Sequence, residues 1–459
     1  MTPLVSQLET VRNYFRSGAT KDYAFRIAQL NKFKQAILKY EKEIQEALYK
    51  DLGKSAEESW VTETGFLLTE INETIRHLRE WMEPERVKTN LVNLPSSSYI
   101  YREPLGVVLI IAPWNFPLQL LFAPLVGAIA AGNCAVLKPS EFAPHIADVK
   151  EKIIREVFDP AYILYVPGDG AKVIPEMMNH FRFDHVFYTG STMVGKIIYQ
   201  MAAKELVPVT LELGGKSPCV VEADANLKVA ARRIAVASFI NAGQMCVAPD
   251  YILVHEKVKD AFVQQLIQTI RQFFSEQPEE SASYGRIINE KQFDRLVSYL
   301  SAGKIVFGGR HDRSRLFIEP TIIEDVNIQD PIMRDEIFGP ILPIISFSDR
   351  EAAATMIDQN EHPLAFYVFT NDRKAEEWWL NRIPFGGGCV NNASWHVTNH
   401  HLPFGGRGFS GLGAYHGKHS FLTFSHPKSV MKTPTWFDPA VKYPPFHGKL
   451  KWFKMIIRG

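Results

Sequence analysis

A chain of 459 residues with 51 basic and 50 acidic side chains and 46% hydrophobic residues is too long for one ordinary core, so two or more domains sharing a cleft are expected. The balanced charge, with no basic stretch interleaved with aromatics before the extreme C-terminus, argues against a nucleic-acid partner. Cys134, Cys219, Cys246 and Cys389 form no C-x-x-C pair and have no histidine at ligand spacing, which argues against a metal centre and fits reduced thiols. No basic segment followed by an apolar core opens the chain, so a cytoplasmic setting is expected.

The first 82 residues read as helices, because Phe25, Leu30, Phe33, Ile37 and Tyr40 recur at helical spacing among Lys and Glu; they look like packing. Residues 86–103 turn polar and extended, an arm that wants a partner edge. Residues 105–137 hold no charged side chain and are long enough for a membrane span. Pro113, Pro117 and Pro124 break that reading into a buried strand over 106–112, a turn over 113–116, and a buried helix opened by Pro117 and closed near Gly132. Apolar runs at 106–112, 133–137, 161–166, 183–188 and 207–213 alternate with helical stretches, the pattern of a parallel α/β sheet. A second alternation begins at Ser217, with a helix over 225–240, a strand over 251–255 and a helix over 258–274, and the join falls near Gly214 and Gly215. Residues 418–432 read as extended again and are a candidate partner for the arm.

Several residues carry chemistry in this frame. Cys246, in Asn241-Ala-Gly-Gln-Met-Cys246, lies in an uncharged small-residue turn suited to presenting a thiol; the alternative is a small buried hydrophobe. Glu212 ends an apolar strand before two glycines, where a desolvated carboxylate can act as a base; the alternative is a core acid paired with Lys216. Asn115 offers an amide donor in a Pro-bounded turn, suited to an oxyanion or to ordinary turn chemistry. Gly190-Ser191 to Gly195 follows a strand and opens a helix, the context in which backbone N–H groups meet a phosphate, although the spacing is not G-x-G-x-x-G. Lys138-Pro-Ser-Glu141 follows another strand, where Glu141 can meet ribose hydroxyls or simply line a solvated loop. Glu336 fits a loop salt bridge equally well, and His400 and His401 lack ligand partners in the sequence and read as structural.

Pro113-Trp-Asn-Phe-Pro117, Lys138-Pro-Ser-Glu141, Phe187-Tyr-Thr-Gly-Ser-Thr192, Leu211-Glu-Leu-Gly-Gly215, Gly243-Gln-Met-Cys246 and Glu336-Ile-Phe-Gly-Pro340 occur together and in order. In this the chain resembles the NAD(P)-dependent aldehyde dehydrogenases over nearly its whole length, and its ending from Pro403 to Lys418 is similar to the class 3 or fatty aldehyde branch. The resemblance implies an α/β fold with a Rossmann-like cofactor domain (1–85 and 104–213), a catalytic α/β domain (214–418), a small oligomerisation sheet (86–103 and 419–432) and a C-terminal tail (433–459). It implies Cys246 as nucleophile, Asn115 with the Cys246 N–H at the oxyanion, and Glu212 as base for thioester hydrolysis. For the cofactor it implies Lys138 and Glu141 at the adenosine ribose, Ser191 at a phosphate, Glu336 at the nicotinamide ribose, Trp114 and Phe338 beside the cofactor, and Gly190 and Gly195 permitting close approach. NAD is the implied cofactor, with NADP also accepted, on medium or long aliphatic or aromatic aldehydes, in a homodimer. The tail at 449–458, basic and aromatic, is too short to span a bilayer, so membrane contact is at most peripheral. A cofactor-free thiol hydrolase and a binding protein without turnover are the rival readings; the first leaves the 190–195 turn and Glu336 without a task.

Overall fold

The structure, a computed structural model, describes residues 2–457. The amino-terminal helices Tyr23–Lys39, Glu41–Leu52 and Gly65–Met82 pack on the helices Gln119–Ala131 and Pro144–Val157, which lie against the first sheet. Leu30, Phe33 and Ile37 point inward from the first of them, and the Phe33 ring meets Phe122 edge-on at 4.9 Å. Phe122 belongs to the helix Gln119–Ala131, every residue of which is buried. That helix closes at Gly132, whose φ of 87° is left-handed. Pro124 lies inside this helix, as the reading of one buried helix from Pro117 to near Gly132 requires, and dense packing on all sides offsets the roughly 3 kcal/mol that an internal proline costs.

Five parallel strands form the first sheet in the order Val209–Glu212, His185–Thr189, Val107–Ile111, Cys134–Lys138 and Ile163–Tyr165. The short strand Gly411–Leu412, from near the end of the chain, closes the Val209–Glu212 edge antiparallel, with Gly411 opposite Glu212. The second sheet runs Lys304–Phe307, Thr321–Glu324, Ile341–Phe347, Tyr251–His255, Pro218–Val221, Ala365–Phe369 and Gly387–Val390, parallel except for its first strand.

The arm is extended as expected, and its strand Ser97–Pro104 pairs antiparallel with both Glu85–Val87 and Ser425–Lys432. The expected extended segment at 418–432 begins later than the sequence suggested, because Lys418–Thr423 is a helix. Phe421 and Phe424, 1% and 0% exposed, are one helical step apart and face the same core. Gly127 lets this helix approach closely, since a Cβ there would stand 2.6 Å from the Ser420 Cβ. No helix among the described residues is long and apolar enough to cross a membrane.

Candidate active site

In the first sheet the chain order reverses between Val107–Ile111 and His185–Thr189. The Asn115 turn follows one of these strands and Gly190-Ser191 follows the other, so both loops flank the crevice at the carboxyl ends where open parallel sheets take ligands. A cleft of about 950 Å³ opens there, lined by Trp114, Asn115, Gly190, Ser191, Glu212, Cys246, Glu336 and Phe338 among others. Next to it is a second, apolar cavity of about 160 Å³, walled by side chains such as Phe66, Phe116, Val236, Trp395 and Phe404. Cys246 and Glu212 line both. Lys138, Glu141 and Gly195 line neither.

The Cys246 loop is held by backbone strain and buried amides. Asn241 and Ala242, each at φ 52°, and Gly243 at φ 72° make a left-handed run, costly for non-glycine residues and kept only where the surroundings fix it. Gln244 supplies part of that fixing: its Nε2 donates to the carbonyls of Asn241 and Arg286, both at 2.9 Å, and its Oε1 accepts from Ile288 N at 3.0 Å. Asn241 Nδ2 donates to Asn115 O at 2.8 Å, and Asn115 Nδ2 donates to Gln244 O at 3.2 Å, so the two loops are tied and one Asn115 amide hydrogen remains for a ligand.

The amino-terminal helices do more than pack. Glu58 Oε1 accepts from Asn241 N at 2.8 Å, and the fully buried pair Lys54 and Glu63, 2.7 Å apart, braces the Asn115 turn. Lys54 Nζ donates to Asn115 O at 3.0 Å, and Glu63 Oε2 accepts from Leu118 N at 2.8 Å. Sequence reading missed these residues, because their partners Asn115, Leu118 and Asn241 lie 55 or more positions away.

Burial disfavours the charged forms of the thiol and of two carboxyls at the site. Burial pushes the Cys246 thiol up, and the Glu336 and Glu212 carboxylates add to this, while the N–H groups of Cys246 and Val247 pull the other way. Glu212 is 2% exposed, neither of its oxygens has a hydrogen-bond partner, and burial raises its carboxyl well above the usual range. Lys216 is not its partner, which settles one alternative: Lys216 pairs with Asp250 and donates to Ile332 O at 2.7 Å. Asp250 in turn accepts from Ile337 N at 2.9 Å, and Arg295 Nη2 donates to Ile337 O at 2.7 Å, fixing the loop that carries Glu336 and Phe338. Glu336 is pushed up to about 8, by burial first and then by Asp250. Phe338, at φ 50°, sets its ring edge-on to Trp114 at 5.3 Å.

The cleft fits a dinucleotide. A Cβ at Gly190 would strike the Tyr188 hydroxyl and one at Gly195 would strike Leu213, so the backbone comes close only because both are glycine. Ser191 caps the helix Thr192–Lys204, its Oγ accepting from Val194 N at 3.4 Å, which leaves the helix start facing the cleft. At the end of the neighbouring strand, Lys138 Nζ donates to Glu141 at 3.2 Å, and Glu141 accepts from Gly170 N at 2.9 Å.

A doubly wound sheet with such a cleft, meeting a half-buried thiol and an unpartnered carboxyl, points to the class of dinucleotide-dependent oxidoreductases. The chain belongs to the aldehyde dehydrogenase family, whose profile matches residues 7–430. It is 47% identical over 448 residues to the 4,4'-diaponeurosporen-aldehyde dehydrogenase of Staphylococcus aureus, covering 97% of both chains. It is 44% identical over 452 residues to the dimeric NADP-preferring aldehyde dehydrogenase of Rattus norvegicus, covering 98% of this chain and 99% of that one. A substrate-bound structure of Staphylococcus aureus AldH superposes with a TM-score of 0.96 at 46% identity over 99% of each chain. The indole-3-acetaldehyde dehydrogenase AldA of P. syringae, solved with NAD+ and IAA, superposes at 0.85 with 29% identity, covering 93% of this chain and 88% of that one. The protein is an NAD(P)-dependent oxidoreductase that acts on aldehydes.

Proposed function

We propose that Cys246 is the nucleophile of this oxidation, that Asn115 and the Cys246 N–H hold the oxyanion, and that Glu212 activates the water that ends the cycle. The observation that carries this reading is that Cys246 and Glu212 both line the polar cleft and the apolar cavity. The thiolate adds to the aldehyde carbon, and the new oxyanion accepts from the free Asn115 amide hydrogen and the Cys246 N–H. The chemistry supplied by bound NAD(P) is acceptance of the hydride. Cys246 then carries the acyl group as a thioester. Glu212 takes a proton from water, whose oxygen adds to the acyl carbon; the C–S bond breaks, giving the carboxylic acid and the free thiol.

Lys138 and Glu141 hold the adenosine ribose, Ser191 with the glycines at 190 and 195 a phosphate, Glu336 the nicotinamide ribose, and Trp114 with Phe338 the nicotinamide side. NAD is the preferred form, with NADP also accepted: the Glu141 charge that would repel a 2'-phosphate is partly offset by Lys138 and by the Gly170 N–H. Residues 1–85 and 104–213 serve the cofactor, 214–418 the chemistry, and 86–103 with 419–432 a homodimer, a reading supported by the name of the rat relative. The enzyme works in the cytoplasm on medium or long aliphatic or aromatic aldehydes, in keeping with the apolar cavity, and the tail at 433–459 touches a membrane at most peripherally.

The test follows NAD(P)H formation with a medium-chain alkanal and an aromatic aldehyde, each with NAD and with NADP. Cys246→Ala is expected to lower turnover by at least about a thousand-fold; wild-type turnover in that variant would refute the assignment.

A further inference from the structure

We infer that Glu73, His400 and His401 form a binding site for one divalent transition-metal ion of the zinc class, apart from the catalytic cleft. Glu73 lies 6% exposed on the helix Gly65–Met82, while half-buried His400 and exposed His401 follow the short helix Trp395–Thr398. One donor atom from each of the three lies within 4.8 Å of the other two. His400 Nε2 stands 3.4 Å from Glu73 Oε2. Two ligands on a tetrahedral ion at about 2.0–2.1 Å are about 3.4 Å apart, whereas a direct charge-assisted hydrogen bond draws its atoms to about 2.7–2.9 Å. The spacing is that of two donors around one ion.

Chemistry at the cluster points the same way. The buried Glu73 carboxylate is faced by His77 Nε2 at 3.2 Å, by His400, and by Arg76 at 3.4 Å, whose side chain is 70% exposed. A divalent ion gives the buried carboxylate a full charge partner. The rings of His400 and His401, 4.2 Å apart, present two imidazoles side by side. One carboxylate with two imidazoles and no thiolate suits zinc, cobalt or nickel, and leaves one tetrahedral position for water. Sequence reading found no partner for these histidines because Glu73 belongs to a distant helix. The placement also matters: Trp395, Val397 and Thr398 on one side and Phe66 on the other wall the apolar cavity, so the ion fastens a cavity-lining loop to the helix opposite.

The test adds Zn2+ to chelator-treated enzyme carrying Cys246→Ala, so that the reactive thiol does not compete. Calorimetry is expected to give one tight equivalent, and thermal denaturation a rise in midpoint, because an ion that binds only the folded chain stabilises it. His401→Ala and Glu73→Gln are each expected to weaken binding by at least about 100-fold, more than the loss of an outer partner, and His180→Ala to leave it unchanged. His401 is exposed, so its removal keeps the fold. Co2+ in place of Zn2+ should give a tetrahedral visible spectrum without thiolate charge transfer. Undiminished affinity in His401→Ala and Glu73→Gln, no saturable binding, or a thiolate signature would each overturn the site.

Discussion

At the scale of single residues, the site rests on groups whose charged forms burial disfavours. Glu212 has no hydrogen-bond partner and a raised carboxyl, so it reaches its basic form only when pH climbs above the ordinary carboxylate range. The acyl-release step should therefore speed up as pH rises. In Glu212→Gln we expect a single-turnover burst of NAD(P)H followed by a slow phase without that rise; a steady rate equal to wild type at every pH would rule Glu212 out as the base. The sequence singled out Cys246, Glu212, Asn115, Glu336 and Gly190 in separate short motifs, and the structure brings them to one cleft. What decides Glu212's state was not legible there, since Lys216 reads as its natural neighbour yet turns to Asp250.

Elements add long-range bracing that no local pattern announces. The Lys54 and Glu63 pair is fully buried and holds the Asn115 turn. Lys54→Met leaves Glu63 as an uncompensated buried charge, and a loss of about 3–5 kcal/mol is expected, read as a lowered denaturation midpoint with weakened turnover in the folded remainder. Glu70, 2% exposed on the same helix as Glu73, accepts from Gly417 N at 2.7 Å and is pushed up to about 7, chiefly by burial. A carboxyl whose folded pKa is raised contributes stability that is fully present below its unfolded value and is lost as pH rises through the folded one. Glu70→Gln, which keeps an acceptor for Gly417 N, should match wild type near pH 4.5 and exceed it in thermal midpoint at pH 8; a constant difference between them would count against this. The helix Lys418–Thr423, taken for a strand from its Phe and Thr content, owes its form to a tertiary contact at Gly127, which composition does not encode.

For the molecule as a whole, the alternation of strands and helices gave the α/β class and the first sheet's strands to within a few residues. The tail leaves Trp436, Phe446, Trp452 and Met455 exposed at 55–77%, more apolar surface than a lone subunit gains from showing. Sedimentation should find twice the 52.1 kDa chain mass, and deletion of residues 433–459 should shift the population toward single chains; a wild-type enzyme that sediments as one chain would exclude the homodimer.

The antiparallel strand Gly411–Leu412 bears on how the chain is made. It closes the edge on which Glu212 sits, yet leaves the ribosome about 200 residues after it, a delay of roughly 10–40 s at usual rates of synthesis. For that interval the nascent first sheet has an open border at Val209–Glu212, a place where a chaperone or a neighbouring nascent chain can pair. The surroundings of Glu212 are thus completed only when nearly the whole polypeptide exists, so a prematurely terminated chain holds Cys246 without the closed edge beside Glu212.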